Sequence, residues 1–258
     1  MSMKLPMASS LHNLPSLVSF LGNAQRIVFL TGAGMSTESG IADFRSTTGL
    51  YAGGVDKSVF DIEVFDRDPA YFYRFARTFL DTIRQARPNA GHFAVAALAT
   101  EFRKDVCVCT QNIDALHQEA GISAVFPLHG TLQTFHCRKC REPVESRPIW
   151  SAVAAGEIPQ HGGCGGILKP DIVFFGEPLP QDVYAAAETA VRQADLLIVA
   201  GTSLAVYPAA ALPACRTDAC RLVIINRDST PLDFQANLVF HESIGSVLQG
   251  AVDRLRKT

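Results

Sequence analysis

A chain of 258 residues, 48% of them hydrophobic, is long enough for one large α/β domain with a smaller insertion and can bury a substantial core. Its 23 Lys and Arg against 25 Asp and Glu leave no overall electrostatic footprint for nucleic acid, and no apolar run reaches the roughly 18 residues that suggest a membrane span. Seven cysteines, an odd number, with no secretory signal in MSMKLPMASSLHNLPSL, argue for reduced thiols or a metal site over a disulfide framework, and for the cytoplasm.

Taken in chain order, the pattern first predicts an amphipathic helix over 10–21, ended by Gly22 and packed on a sheet. An apolar strand over 26–30 then breaks into TGAGMSTESGIADFR, residues 31–45. Gly32 and Gly34 can take positive φ and let the backbone approach a pyrophosphate, with a helix from about Met35 aiming its N–H groups at the anion. As a dinucleotide fingerprint this is imperfect. Thr37 stands where the third glycine belongs, and no strand ending in an acidic residue follows about twenty residues later. Alone, the glycines are better explained by an ordinary strand-to-helix turn than by nucleotide binding.

Residues 46–88 interrupt the βαβ rhythm with three glycines and an aromatic-rich segment, in which Phe72, Phe75 and Phe79 have helical spacing and read as core. A helix over 90–102 leads to a strand at 106–109, which releases Thr110-Gln-Asn-Ile-Asp114 and another helical stretch ending at Gly121. The run at 125–128 ends in His129-Gly130. Later strands are expected at 172–175, 196–200 and 222–225, with helices at 182–193 and 244–256. Apolar strands that release polar or glycine residues at their C-terminal ends predict a doubly wound, largely parallel, Rossmann-like sheet.

Between these strands, 135–169 has a different, glycine-rich composition and reads as an insertion. Cys137-Arg-Lys-Cys140 and His161-Gly-Gly-Cys164 have the same two-residue gap, which suits a zinc ribbon with three thiolates and one imidazole. Four protein ligands leave no open coordination position, so such a zinc ion is structural. His136, beside the first pair, competes with His161 as the fourth ligand; a lone C-x-x-C could instead be a redox pair, but nothing around Cys137 resembles the βαβ context such a pair needs. Cys107, Cys109, Cys215 and Cys220 read as core thiols.

Six clusters in order, Gly40-Ile-Ala-Asp-Phe-Arg45 after the glycine turn, Thr110 to Asp114, His129-Gly130, the paired metal knuckles, Lys169-Pro-Asp-Ile-Val-Phe-Phe-Gly-Glu177 and Gly201-Thr-Ser203, closely resemble the sirtuins, NAD-dependent protein deacylases. The resemblance runs from about Ile27 to Asn226. It implies a Rossmann-like NAD-binding domain formed by 1–46, 90–134 and 170–258, and a small domain from the helical insertion 47–89 and the zinc module 135–169. It also accounts for the imperfect fingerprint, because these enzymes cleave NAD instead of transferring hydride.

By resemblance, Gly32, Ala33, Gly34 and Ser36 line the pyrophosphate site, Gly201, Thr202 and Ser203 assist from the opposite strand tip, and Asn226 contacts the adenosine ribose. Asp43 belongs to the same cofactor loop, in which Phe44 and Arg45 cover the ribose and phosphate. Ile41, Asn112, Ile113 and Asp114 form the nicotinamide pocket, and Gln111 bonds the nicotinamide ribose. His129 is the general base, with Asn112 also catalytic: the acyl oxygen of an acyl-lysine attacks the anomeric carbon, nicotinamide leaves, and His129 relays a proton from the ribose hydroxyls as the acyl group passes to ADP-ribose.

The acyl-lysine peptide is expected as an added strand between Val173-Phe174-Phe175-Gly176-Glu177 and the 204–208 loop, with Phe174, Phe175 and Val206 flanking the lysine stem. No membrane or nucleic-acid partner is expected, and the chain reads as a monomer. Two positions depart from the family pattern: Ala42 stands where proline is usual, and His161 where cysteine is usual. Tyr71-Phe-Tyr-Arg74 matches the Tyr-x-x-Arg pair of sirtuins that take acidic acyl groups, but lies too close to Pro69; in the favoured register Ala76 and Phe79 occupy those places and predict an apolar acyl pocket. Acidic-acyl preference, mono-ADP-ribosyl transfer, NAD hydrolysis and a non-catalytic NAD-binding module remain as alternatives.

Overall fold

The computed structural model describes residues 13–258, so the first three positions of the predicted N-terminal helix lie outside the described residues. In chain order the elements are α1 (Leu14–Asn23), β1 (Arg26–Thr31), α2 (Ile62–Arg67), α3 (Pro69–Gln85), α4 (Ala90–Thr100), β2 (Asp105–Thr110), α5 (Leu116–Glu119), β3 (Val125–Pro127) and β4 (Gly130–Cys137). There follow β5 (Pro143–Glu145), α6 (Ser146–Ala154), β6 (Leu168–Ile172), α7 (Gln181–Gln193), β7 (Leu196–Ala200), β8 (Arg221–Ile225), β9 (Leu238–Phe240) and α8 (Ile244–Leu255).

Six strands form one sheet in the order β3-β2-β1-β7-β8-β9, and every pair is parallel. The central strands are apolar on both faces because helices cover both. On one side α1, α4 and α8 enclose Ile27, Phe29, Val108, Ile198 and Val223; on the other, α7 and the 209–215 segment enclose Val28, Leu30, Leu197, Val199 and Ile224. Helix α1 continues one residue beyond Gly22, whose missing side chain meets only Leu255. Strand order reverses between β1 and β7, and the crevice outside the C-terminal ends at such a reversal is where open α/β sheets bind ligands.

A second, antiparallel sheet has the order β5-β4-β6. The strand predicted at 172–175 is corrected here. The pairing strand is Leu168–Ile172 in this small sheet, while 173–175 continues as extended chain tied by a single bridge from Phe175 to Asp61. An apolar run signals burial on both sides without saying against what. Phe174 is buried in an aromatic cluster with Phe60, Phe65 and Phe72, ring centroids 6.2, 5.5 and 5.1 Å away, and not between two layers of helices. The same cluster takes Phe72, Tyr73, Ala76 and Leu80 of α3, as the helical spacing predicts.

Candidate active site

All the residues named above for cofactor, catalysis and substrate line one cleft of about 350 Å³, at the ends of β1, β2, β7 and β8 and facing the aromatic module. Its floor is the glycine turn, which does not behave as predicted. Gly32 has φ −130°, neither Gly32 nor Gly34 has positive φ, and the expected helix is a seven-residue 3-10 segment, Ala33–Ser39, closed by Gly40 at φ 88°. The glycines serve close packing. A Cβ on Gly34 would lie 2.7 Å from the Gly201 Cα, and one on Gly32 2.8 Å from the Gly201 carbonyl oxygen. The Gly34 and Gly32 amides donate to the Gly201 and Ala200 carbonyls at 2.9 and 3.1 Å, and Gly201 N–H donates to Ile225 O at 3.0 Å. Three strand tips are thus zipped into one platform.

On that platform Ser36 Oγ donates to Asp114 Oδ2 at 2.6 Å, and Asn112 Nδ2 donates to Ser36 Oγ and to Gly32 O, both at 3.1 Å. Burial raises the Asp114 carboxyl above its ordinary range, opposed by its bonds from Ser36 and the Leu116 amide. Gln111 donates its side-chain amide to Thr202 Oγ1 at 3.0 Å, and Asn226 donates to Asp228 O at 2.8 Å. The β2 tip is thereby fixed in orientation before any ligand arrives.

His129, half-buried, stands at the end of the β3 run with Nδ1 3.1 Å from Gln111 O. A carbonyl only accepts, so Nδ1 carries the proton and Nε2 keeps its lone pair. Burial lowers the imidazole pKa below the usual 6.5, with the bond to Gln111 opposing that shift, so the ring is neutral at physiological pH. Gly130 makes this corner possible: its φ is 79°, and a Cβ there would sit 1.9 Å from Asp171 O.

Opposite His129 runs 173–177. Val173 N–H donates to His129 O at 2.9 Å, Phe174 N–H to Glu177 Oε2 at 2.9 Å, and Phe175 N–H to Phe60 O at 2.7 Å. Gly176 is thus the amide of this segment with no partner among the described residues. Beneath it, buried Lys169 holds Glu177 Oε2 and Ile172 O, each at 2.8 Å, with Nζ 4.2 Å from the Phe174 ring centroid. Phe174 is a core side chain that closes the cleft wall, whereas Phe175 is exposed.

Tyr51, Phe60, Ile83, Tyr207 and Asp228 also line the cleft and were not singled out by sequence. Phe44 packs on Tyr51 and Phe60 at 5.7 and 5.8 Å between centroids, which extends the apolar wall to Phe79. Tyr71 and Arg74 are outside the cleft; Arg74 pairs with Asp68 at 3.7 Å.

In the small module, the ligand atoms of Cys137, Cys140, His161 and Cys164 all lie within 4.8 Å of one another. The Cys164 sulfur is 3.4 Å from Cys137, 3.5 Å from Cys140 and 3.3 Å from His161 Nδ1. Tetrahedral zinc with bonds of about 2.0–2.3 Å sets S–N separations near about 3.5 Å and S–S separations near about 3.8 Å; Cys140 and His161 Nδ1, 3.6 Å apart, stand at that spacing and the Cys164 contacts are a few tenths of an ångström shorter, so a small expansion of the set admits the ion. His136 is elsewhere, 2.5 Å from Asp171. Purified protein should carry one zinc per chain by elemental analysis, and His161→Ala should release it to a chelator about tenfold faster or more; unchanged release would remove His161 from the ligand set.

Comparison with known proteins agrees with this geometry. The model of the Sir2 family matches residues 32–208. An NAD-dependent protein deacetylase of Thermotoga maritima is 38% identical over 232 residues, covering 90% of this chain and 94% of its own. A solved complex of Sir2 with a p53 peptide and NAD+ superposes with a TM-score of 0.84 at 36% identity over the whole of both chains. A Sir2 variant holding deacetylated p53 peptide and 3'-O-acetyl ADP-ribose gives 0.87 at 36% identity, covering 93% of this chain and 98% of that one.

Proposed function

This chain belongs to the Sir2 family, and from that premise we propose the reaction its cleft performs: NAD-dependent removal of acetyl or other apolar acyl groups from protein lysine side chains, with release of nicotinamide and O-acyl-ADP-ribose. One observation carries the reading. His129 is neutral, its Nδ1–H is fixed to Gln111 O, and its basic Nε2 is left available beside the Ser36, Asn112 and Asp114 cluster.

The donor set suits NAD: amides and hydroxyls for ribose and carboxamide, Arg45 and backbone amides for phosphate, and apolar walls to keep water away. When bound, NAD supplies an electrophilic ribose carbon, a nicotinamide leaving group and the hydroxyls that accept the acyl group. Asn112, Ile113, Asp114 and Ile41 would hold and desolvate the nicotinamide end. Gly201, Thr202, Ser203 and Asn226 would hold the adenosine half. His129 Nε2 would take a proton from a ribose hydroxyl, a role for which its lowered pKa keeps the lone pair free.

Acyl-lysine peptides would enter between 173–177 and 204–208. With Val173, Phe174 and Phe175 amides already committed, the main-chain pairing falls to Gly176 and to the 204–208 side, and exposed Phe175 and Tyr207 flank the lysine stem. Phe44, Phe60, Phe79 and Ile83 make the acyl end apolar. An acidic acyl group would find neither Tyr71 nor Arg74 there, which supports the apolar preference.

Incubating the protein with NAD and an acetyl-lysine peptide should yield nicotinamide, the deacetylated peptide and O-acetyl-ADP-ribose in equal amounts, followed by chromatography and mass spectrometry. Nicotinamide release without acyl transfer would turn the reading toward NAD hydrolysis or ADP-ribosyl transfer. The chain is expected to act as a monomer, with the light-scattering mass of a single chain.

A further inference from the structure

Lys169 is 6% exposed, an uncommon depth for an ammonium group, and it does not line the cleft. All three of its donors are used: Nζ bonds Ile172 O and Glu177 Oε2, each at 2.8 Å, and Pro170 O at 3.3 Å. The Phe174 ring centroid lies 4.2 Å from the same nitrogen. Burial lowers the ammonium pKa, and Glu177 opposes that shift.

Glu177 is the other half of the arrangement. The sequence places it among the peptide contacts, but its Oε2 is taken up by Lys169 and by Phe174 N–H, the latter at 2.9 Å. Its own N–H returns to Phe174 O at 3.0 Å, so 174–177 is a closed turn, completed by Gly176 at φ 90°. One carboxylate oxygen thus bolts this turn to Lys169, and Lys169 bolts it to Ile172, the last residue of β6. The residues on either side of Phe174 are anchored separately, Val173 to His129 O and Phe175 to Phe60 O. As a source of stability alone a buried ion pair is a poor choice, because an apolar pair of similar volume often does as well or better. What the pair adds is direction, since its hydrogen bonds admit one orientation of the turn where an apolar plug would only fill space.

We infer that Lys169 and Glu177 are positioning residues for the acyl-lysine peptide: together they clamp the 174–177 turn onto β6 and so hold the Gly176 N–H at the edge where the peptide strand is added. For the peptide this rests on the deacylase reading above, whereas the clamp on the turn does not. Glu177 accordingly supports the wall of the cleft from behind, and the peptide is met by the backbone that Glu177 holds in place.

Two variants separate positioning from charge balance. Lys169→Met keeps the length of the side chain and removes the ammonium; combined with Glu177→Leu it leaves no buried charge unpaired. Both proteins should raise KM for an acetyl-lysine peptide about tenfold, with kcat and KM for NAD within about twofold of wild type, and the double variant should melt close to wild type. A double variant that recovers the wild-type peptide KM would reduce the pair to charge balance, and an equal rise in KM for NAD would reduce it to general packing; either result overturns the assignment. Amide hydrogen exchange supplies a readout that needs no turnover. Phe174 N–H should exchange about tenfold faster in Lys169→Met, and at least about twofold faster in the milder Glu177→Gln, while the Gly34 and Gly201 amides keep their rates. Unchanged exchange at Phe174 would overturn the clamp. A wild type that turns over no acyl-peptide would end the deacylase reading and the peptide role with it, and the exchange rates would still decide whether the pair holds the turn.

Discussion

His129→Ala should bind NAD with nearly unchanged affinity by calorimetry while its deacylation rate falls about 10²–10⁴-fold, the usual worth of a positioned general base. The asymmetry follows from geometry. His129 stands in the cleft wall with its one described side-chain bond going to Gln111 O, whereas the platform beneath the dinucleotide is held by Gly34, Gly201, Ser36, Asn112 and Asp114 without it. Burial lowers the His129 pKa, so the acidic limb of kcat/KM in the wild type should fall below pH 6.5 and not above it. A variant that kept wild-type turnover would remove His129 from the mechanism.

The second large effect is on stability. His92 and His117 are held neutral by burial, with pKa values pushed down to about 4 and about 3, His92 adding to the shift of His117. Because both are depressed in the folded state, their contribution is complete above the unfolded value of 6.5 and is lost as pH falls toward those lower values. In that window the unfolded chain binds two protons that the native chain refuses. Each histidine then costs roughly 1.4 kcal/mol per pH unit, so between pH 6.5 and 4.5 the loss is about 5 kcal/mol, comparable with the whole stability of many domains. Urea midpoints measured across this range should fall steeply, and the paired variant His92→Asn with His117→Gln should have a pH slope shallower by about two protons. An equal slope in the two proteins would contradict the burial of neutral rings.

Where sequence and structure agree, the agreement has a simple source. Central parallel strands such as Val106 to Cys109 and Leu196–Ala200 are apolar on both faces, and helices α3, α4, α7 and α8 carry continuous patterns with clear ends. Paired Cys and His knuckles are local in sequence, so their chemistry is visible without the fold. What was illegible depends on partners distant in the chain. The run ending at Phe175 is apolar because aromatic rings from 60–72 surround it, so its burial misassigned it to the large sheet. Strand β9 is only Leu238–Phe240, too short for a pattern, and α6 lies inside the glycine-rich stretch that reads only as an insertion.

The site divides in the same way. Asn112, Asp114 and His129 were recognisable because each follows a strand at its C-terminal end. Phe60 ends a four-residue 3-10 segment, and Tyr51 and Tyr207 stand in loops, all too short or irregular to carry periodicity. The glycine turn was read as making room for a phosphate, when the nearest neighbour of its missing side chains is Gly201, some 170 residues away in sequence, a separation typical of contacts no local pattern reveals. His92 and His117 carried no signal either, since a buried imidazole and a solvated one look alike in a sequence.

The chain passes from the large sheet to the small one at Leu128 to Gly130 and leaves the small one at Ile172 to Val173, and the two crossings are bonded to each other through Val173 N–H and His129 O. The His129 imidazole sits at this crossing, between β3 and β4, and belongs to the joint and not to either sheet. Because its Nδ1 is tied to Gln111 O at the β2 tip, the ring takes its aim from the large sheet, while the 173–177 wall facing it is tied to Phe60 and Lys169.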